Sequence, residues 1–138
     1  AIIAIEGDIG LEEFITTGVP IEAKVSADLL TTIFTPYSPL HDGAVLIRGD
    51  QIIGAGGVLP LTQFKVSDKS LGTRHRAALG LSEETDATVL VVSEETSTIS
   101  IASHGLLYRH LTPQQVRDLL SGAVSHLEGG ERVTAPAG

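Results

Sequence analysis

Short aliphatic runs separated by glycine, proline and polar clusters fill this chain, and the length and period of each run distinguish strand from helix. Ala1 to Ile5 is an apolar run suited to a buried strand. Leu11 to Thr17 reads as a helical segment stopped by Gly18, with Glu12 and Glu13 matching a first helical turn. Ile21 to Val25 alternates weakly, and Ser26 then caps a helix that runs through Ala27 and Leu30 to Phe34. Thr35-Pro36-Tyr37-Ser38-Pro39 ends it, because proline pushes the preceding residue out of helical backbone. Ala44 to Ile47 and Gln51 to Leu59, on either side of Arg48-Gly49-Asp50, predict an antiparallel hairpin. Its second arm carries Gly54, Gly56 and Gly57, which fit either a bulge where something flat approaches the backbone or plain tight packing.

Thr62 to Ser70 is polar and reads as a loop, followed by a helix from Thr73 to Leu81 that packs through Ala77, Ala78 and Leu81. Ala87 to Val92 is the most hydrophobic run and predicts a central strand; Thr98 to Ala102 and Leu106 to His110 predict two more. Thr112-Pro113-Gln114-Gln115 is a capping box with proline at the first helical position. Val116, Leu119, Leu120, Ala123, Val124 and Leu127 then recur at helical spacing, so the last helix is expected to lay an apolar stripe on the sheet. The expected architecture is α/β, a central mixed β-sheet flanked by α-helices, in one domain over residues 1–128. Residues 129–138 are small and polar and are expected to form a disordered tail.

At 138 residues the chain can bury one sizeable core. With few aromatics and no Trp, that core must be built from Ile, Val, Leu and Ala, as in an aliphatic sheet covered by helices. The absence of Cys excludes a disulfide framework, a thiolate nucleophile and a zinc–thiolate site. A formal charge of −8 argues against a nucleic-acid partner, which would need a positively charged face. Any nucleotide must therefore be held by a local cluster of cations. The chain has no run of about eighteen apolar residues and so is expected to be soluble. It opens on Ala1-Ile2-Ile3 without Met, which suggests a piece from inside a longer protein.

The tightest cluster of cations is Gly72-Thr73-Arg74-His75-Arg76-Ala77-Ala78, at the expected start of a helix. A helix N-terminus offers backbone N–H groups and partial positive charge, so Thr73, both arginines and those amides suit a polyphosphate. Arg74 and Arg76 are two positions apart and cannot share a helical face, so one suits phosphate and the other suits fixing the motif. The plainer alternative is a solvated, salt-bridged face; the flanking Gly72-Thr73 and the small Ala77-Ala78 pair argue instead for a helix end pressed close to a ligand. Leu40-His41-Asp42-Gly43-Ala44 sets an acid beside a glycine before an apolar strand, which suits a metal ion and a sugar hydroxyl, or simply a turn. His41 is either a second metal ligand or a loop histidine. Ser93-Glu94-Glu95-Thr96 closes the most hydrophobic strand, at the edge where α/β sheets bind ligands, or is merely a polar turn. His104, His110 and His126 have no metal-ligand spacing and read as surface or packing residues.

Asp42-Gly43-Ala44, Gly72 to Ala78 and Ser93 to Thr96, in that order and spacing, make the chain resemble the diadenylate cyclase (DAC) domain of the membrane-anchored housekeeping type. That family joins two ATP molecules into cyclic di-AMP, and the resemblance runs from Ala1 to about Leu120. It implies a single DAC-type domain acting as a nucleotidyltransferase. By resemblance the catalytic group comprises Asp42, Gly43, Arg74, His75 and Arg76, and the substrate is bound by Ala44, Leu59, Thr73, Ser93 and Glu94. Thr73 would cap the helix and touch ribose or phosphate, and Ser93 would meet phosphate. A divalent cation, Mg²⁺, Mn²⁺ or Co²⁺, is expected on Asp42 with His41 and Glu95, Glu95 being preferred to Glu94. Two departures stand out: Val58 replaces an aromatic residue often found before the Leu-Pro step, leaving Leu59 and Ala44 to line an adenine pocket, and Ser97 stands where relatives often carry Gly.

The resembled reaction needs each 3′-hydroxyl to attack the other nucleotide's α-phosphorus. A chain with room for one ATP then implies a face-to-face homodimer. In the resembled family transmembrane helices precede this domain, so the chain is expected to be the cytoplasmic part of a membrane-anchored bacterial protein. A membrane-linked regulatory protein and a phosphoglucosamine mutase are regulators there. Two other readings compete: a noncatalytic module sensing ATP or cyclic di-AMP, and a metal-dependent phosphohydrolase using His41, Asp42 and Glu95.

Overall fold

The computed structural model describes residues 1–93, 96–121 and 129–135. Along the chain run β1 (Ile2–Ile5), α1 (Glu12–Ile15), β2 (Val19–Lys24), α2 (Ala27–Ile33), β3 (Ala44–Arg48), β4 (Gln51–Gly57), β5 (Lys65–Val66), α3 (Thr73–Glu84), β6 (Thr88–Val92), β7 (Ile99–Ser103), β8 (Leu106–Leu111), α4 (Pro113–Leu120) and β9 (Thr134–Ala135). Seven strands form one sheet in the order β2-β4-β3-β1-β6-β7-β8. β1 and β3 are parallel and every other neighbouring pair is antiparallel, so the sheet is mixed as expected.

Alternation along the strands divides the core. Ile2 and Ala4 face one side, where Ala77, Ala78 and Leu81 of α3 and Phe14 of α1 cover them together with Val89 and Val91. Ile3 and Ile5 face the other, with Ile33 of α2 packed on Val45, Ile47, Ile52 and Ala55. Ser26 caps α2 by accepting from the Leu29 N–H at 3.1 Å. The Thr112 and Gln115 capping box opens α4, with bonds of 2.8 and 3.1 Å.

Several boundaries differ from the sequence reading. β2 starts at Val19, since Val19 and Pro20 pair at an exposed sheet edge where no alternation is imposed. α3 continues past Leu81 to Glu84 and ends at Thr85, whose backbone turns extended while its N–H still bonds the Leu81 carbonyl. The expected loop from Thr62 to Ser70 contains β5, and the expected tail supplies β9, with Lys65 opposite Ala135 and Val66 opposite Thr134. The disordered tail is thus corrected for residues 129–135: Val133 is buried, and Glu131 and Leu107 exchange main-chain hydrogen bonds of 2.7 and 2.9 Å. Residues 136–138 lie outside the described residues. Of the last helix's apolar stripe, Val116 is buried and Leu120 is half exposed; Ala123, Val124, His126 and Leu127 lie outside the described residues.

Candidate active site

One end of the sheet gathers the predicted motifs. Ile2 is in register with Ala44 and with Val91, and Ala44 is in register with Gly57. The loop entering β3 delivers Asp42 and Gly43 to this row, the end of β4 delivers Val58 and Leu59, and the end of β6 delivers Ser93. The start of α3 adds Thr73 and Arg74. Gly43 can sit here because a side chain on it would lie 2.7 Å from the Gly56 backbone. Gly56 itself has φ of +66° within a stretch where the β3–β4 register shifts, so the glycines of β4 form a bulge rather than a flat strand.

Two adjoining cavities open at this end. A polar one of about 480 Å³ is lined by Asp42, Thr73, Arg74 and His75, with Ser70 and Ser93 on its wall. An apolar one of about 320 Å³ is lined by Ala44, Leu59, Val58, Leu61, Ile2 and Ala77. Asp42, Thr73 and Arg74 line both. The Asp42 carboxylate is 84% exposed and its Oδ1 lies 4.0 Å from Arg74 Nη2. At that separation in solvent their mutual attraction is worth little.

Gly72 precedes α3 in extended backbone and no side chain caps the helix. Thr73 is therefore the first helical residue and not the cap the sequence suggested, and its hydroxyl is available to the cavities it lines. The half-buried His75 is pushed below its ordinary pKa, first by burial and then by the Arg109 charge, against an opposing pull from Asp68. It is neutral at neutral pH, able to offer a hydrogen bond but not a charge. Arg76 is exposed and lines neither cavity; its main-chain carbonyl accepts the Thr62 N–H at 3.0 Å.

His41 Nδ1 lies 2.7 Å from the Ser38 carbonyl oxygen, which can only accept. Nδ1 therefore carries the proton, leaving Nε2 with a lone pair in the neutral ring, as a metal ligand requires. His41 lines neither cavity. Among the described residues no group of three or more His, Cys, Asp or Glu converges to hold a metal. Asp42 still fits a hard divalent cation that keeps most of its waters and takes its remaining oxygens from a bound polyphosphate. Glu94 and Glu95 lie outside the described residues.

The structure thus brings together Asp42, Gly43, Ala44, Leu59, Thr73, Arg74, His75 and Ser93, and leaves Arg76 and His41 outside the two cavities. Ser70, Leu61 and Ile2 were missed. Ser70 sits two residues before the glycine of the cationic motif, in a polar stretch that read as an ordinary loop; Leu61 and Ile2 carry no local signal beyond being apolar. Ser97 has φ of +57°, the left-handed region that favours glycine, which accounts for the expectation of Gly there.

The sequence profile of the DAC family, described as DisA bacterial checkpoint controller nucleotide-binding, matches residues 1–107. The chain belongs to this family. Within the DAC family it is 48% identical over 120 residues to cyclic di-AMP synthase CdaA of Bacillus subtilis (strain 168), covering 87% of this chain and 44% of that protein. It is 52% identical over 108 residues to diadenylate cyclase CdaS of Bacillus thuringiensis (strain BMB171), covering 78% of this chain and 54% of the relative. The chain therefore spans about half the length of the curated relatives it matches. A solved double mutant of DacA from Staphylococcus aureus superposes with a TM-score of 0.84 at 43% identity, covering 88% of this chain and 81% of that one. The hypothetical membrane spanning protein from Bacillus cereus superposes at 0.77 with 50% identity, covering 81% and 55%. No helix among the described residues is long and apolar enough to cross a membrane.

Proposed function

We propose that this DAC-family domain is a diadenylate cyclase that condenses two ATP molecules into cyclic di-AMP with release of two pyrophosphates, working as a face-to-face homodimer. The observation that carries the reading is the pairing of a polar and an apolar cavity across a shared wall of Asp42, Thr73 and Arg74. An adenine ring suits the apolar side, where Leu59, Ala44 and Leu61 exclude water. The triphosphate suits the polar side, where the positive end of α3 and the Arg74 guanidinium favour anions. The ribose then lies between them, beside Asp42. The names of the CdaA and CdaS relatives support the same activity.

In this reaction the 3′-oxygen of one nucleotide bonds to the α-phosphorus of the other, the bond from that phosphorus to the β-phosphate bridge breaks, and pyrophosphate leaves. Repeating the exchange closes the ring. Asp42 is the carboxylate that meets the hydroxyl losing its proton, and Arg74 stabilises charge that grows on the phosphoryl oxygens. Thr73 and Ser93 orient phosphate or ribose, and neutral His75 contributes a hydrogen bond without adding charge. A Mg²⁺, Mn²⁺ or Co²⁺ ion on Asp42, with His41 and Glu95 as further candidates, would supply Lewis-acid polarisation and lower the hydroxyl's pKa. With one ATP held across this pair of cavities, the acceptor nucleotide comes from a second copy, and two-fold product symmetry matches a two-fold dimer. The domain belongs, on this reading, on the cytoplasmic side of a membrane-anchored parent, as the likeness to the Bacillus cereus membrane spanning protein supports.

Incubation with ATP and Mn²⁺ or Mg²⁺, followed by product identification, tests the proposal. Cyclic di-AMP and pyrophosphate are expected. AMP would indicate a phosphohydrolase instead, and bound but unchanged ATP a sensing module.

A further inference from the structure

The loop that enters α3 is stitched to the far edge of the sheet by an ion-pair network, two of whose members, Arg109 and Glu131, lie beyond residues 1–107 matched to the DAC family. Arg109, on β8, donates through Nη1 to Asp68 Oδ2 at 2.6 Å, and through Nε and Nη2 to Glu131 Oε2 at 2.9 and 2.7 Å. The other Asp68 oxygen, Oδ1, accepts from the Ser70 N–H at 2.9 Å and from the Ser70 hydroxyl. The Asp68 carbonyl accepts the Leu71 N–H at 3.2 Å. Asp68 therefore spends one oxygen on the arginine and the other on the loop, and any rotation of its carboxylate disturbs both. Ser70 lines the polar cavity immediately ahead of the Gly72-Thr73 helix start.

Glu131 is held as firmly from its own side. It bonds main chain to main chain with Leu107, the neighbouring Val133 is buried, and the Val133 carbonyl accepts from both the N–H and the hydroxyl of Ser67 at 2.7 and 3.0 Å. β9 then pairs with β5, so residues 131–135 tie down residues 65–68.

We propose that Arg109 and Glu131 are positioning residues for the polyphosphate site, holding Asp68 and through it Ser70 and the first turn of α3. The inference rests on the reading of the polar cavity as a nucleotide phosphate site. The network also faces His75: Arg109 opposes its protonation and Asp68 favours it. Loss of Arg109 removes the repulsion and leaves Asp68 unneutralised, so His75 must titrate at higher pH.

The test uses the whole chain with α,β-methylene ATP and Mg²⁺, so that affinity is read without turnover. Arg109→Gln should weaken binding about tenfold, the scale on which a charge-assisted hydrogen bond acts. Arg109→Lys should recover part of the loss, and Glu131→Gln, which leaves the Asp68 bond in place, should weaken binding by a smaller factor. The His75 ring, followed by NMR, should titrate at higher pH in Arg109→Gln than in the unmodified chain. Should Arg109→Gln fail to fold, Glu131→Gln carries the same test. Unchanged affinity in the folded variants, or a loss accounted for entirely by the unfolded fraction, overturns the proposal. If the unmodified chain itself fails to bind the analogue, the nucleotide reading fails instead.

Discussion

Gly80 offers a test of how the apolar cavity is held open. It is buried in the middle of α3, where alanine would ordinarily stabilise a helix by about 1 kcal/mol. Here a methyl group would overlap the Pro60 carbonyl oxygen and lie 2.7 and 2.8 Å from the Leu61 and Pro60 carbonyl carbons. These are backbone atoms that cannot swing aside. The segment is also tethered to α3 itself, where Thr62 donates its N–H to the Arg76 carbonyl at 3.0 Å and its hydroxyl to Glu83 Oε2 at 3.1 Å. Overpacking of this kind costs roughly 1–3 kcal/mol, and losing a tether about 1 kcal/mol more. The clash therefore outweighs the propensity gain, and Gly80→Ala should be destabilised by about 1–3 kcal/mol. For a chain of this size that is a fall in thermal midpoint of roughly 3 °C per kcal/mol. Leu59 and Leu61 move with Pro60, so affinity for α,β-methylene ATP should drop as well. Thermal unfolding and calorimetric titration read both effects. A Gly80→Ala protein as stable as the parent or more so would refute the close-approach argument.

Other substitutions separate the roles of neighbouring residues. Asp42→Asn should abolish cyclic di-AMP formation while leaving the thermal midpoint unchanged, since the side chain is exposed and the exchange conserves volume; near-normal turnover would remove Asp42 from the mechanism. Arg74→Ala should lose about 2–4 kcal/mol of phosphate or transition-state stabilisation, at least a tenfold fall in rate. Arg76→Ala should weaken nucleotide binding far less, because Arg76 lines neither cavity; equal losses in the two variants would contradict that asymmetry. Glu6 is held below its ordinary pKa of 4.5, chiefly by its hydrogen bond from Arg48 and despite partial burial. Its contribution is therefore present above that value and lost as the pH falls through the lowered one. The stability gap between the parent and Glu6→Gln should be full at neutral pH and close in acid; a gap that widened in acid would reverse the assignment.

What could be read from the sequence was what is encoded locally. Ser26 and Thr112 announce their helices because caps act within one turn, and the hairpin around Gly49 follows from two apolar runs and a short connection. Pairing across long separations leaves no such mark. Lys65 and Val66 are an ordinary polar-to-apolar step until Thr134 and Ala135 arrive beside them, and Arg109 reads as an isolated cation until Asp68 and Glu131 meet it. The site divides the same way. Asp42 and Arg74 were identifiable from the short motifs around them, whereas the contributions of Ile2, Leu61 and Ser70 arise only when β1, the Pro60 turn and the α3 entry loop converge. Thr73 was misjudged as a cap because a threonine at a helix start usually serves as one; Gly72 occupies that place and frees the hydroxyl.

The central claim is that one chain supplies half of a reaction centre. The most direct measurement is cyclic di-AMP formed per chain across a dilution series at saturating ATP and Mn²⁺, with oligomer mass recorded in parallel. A two-chain mechanism predicts a specific rate that rises with chain concentration in step with the dimer fraction, while ATP analogue binding persists in monomers. A rate per chain that stays constant where only monomers remain would contradict it.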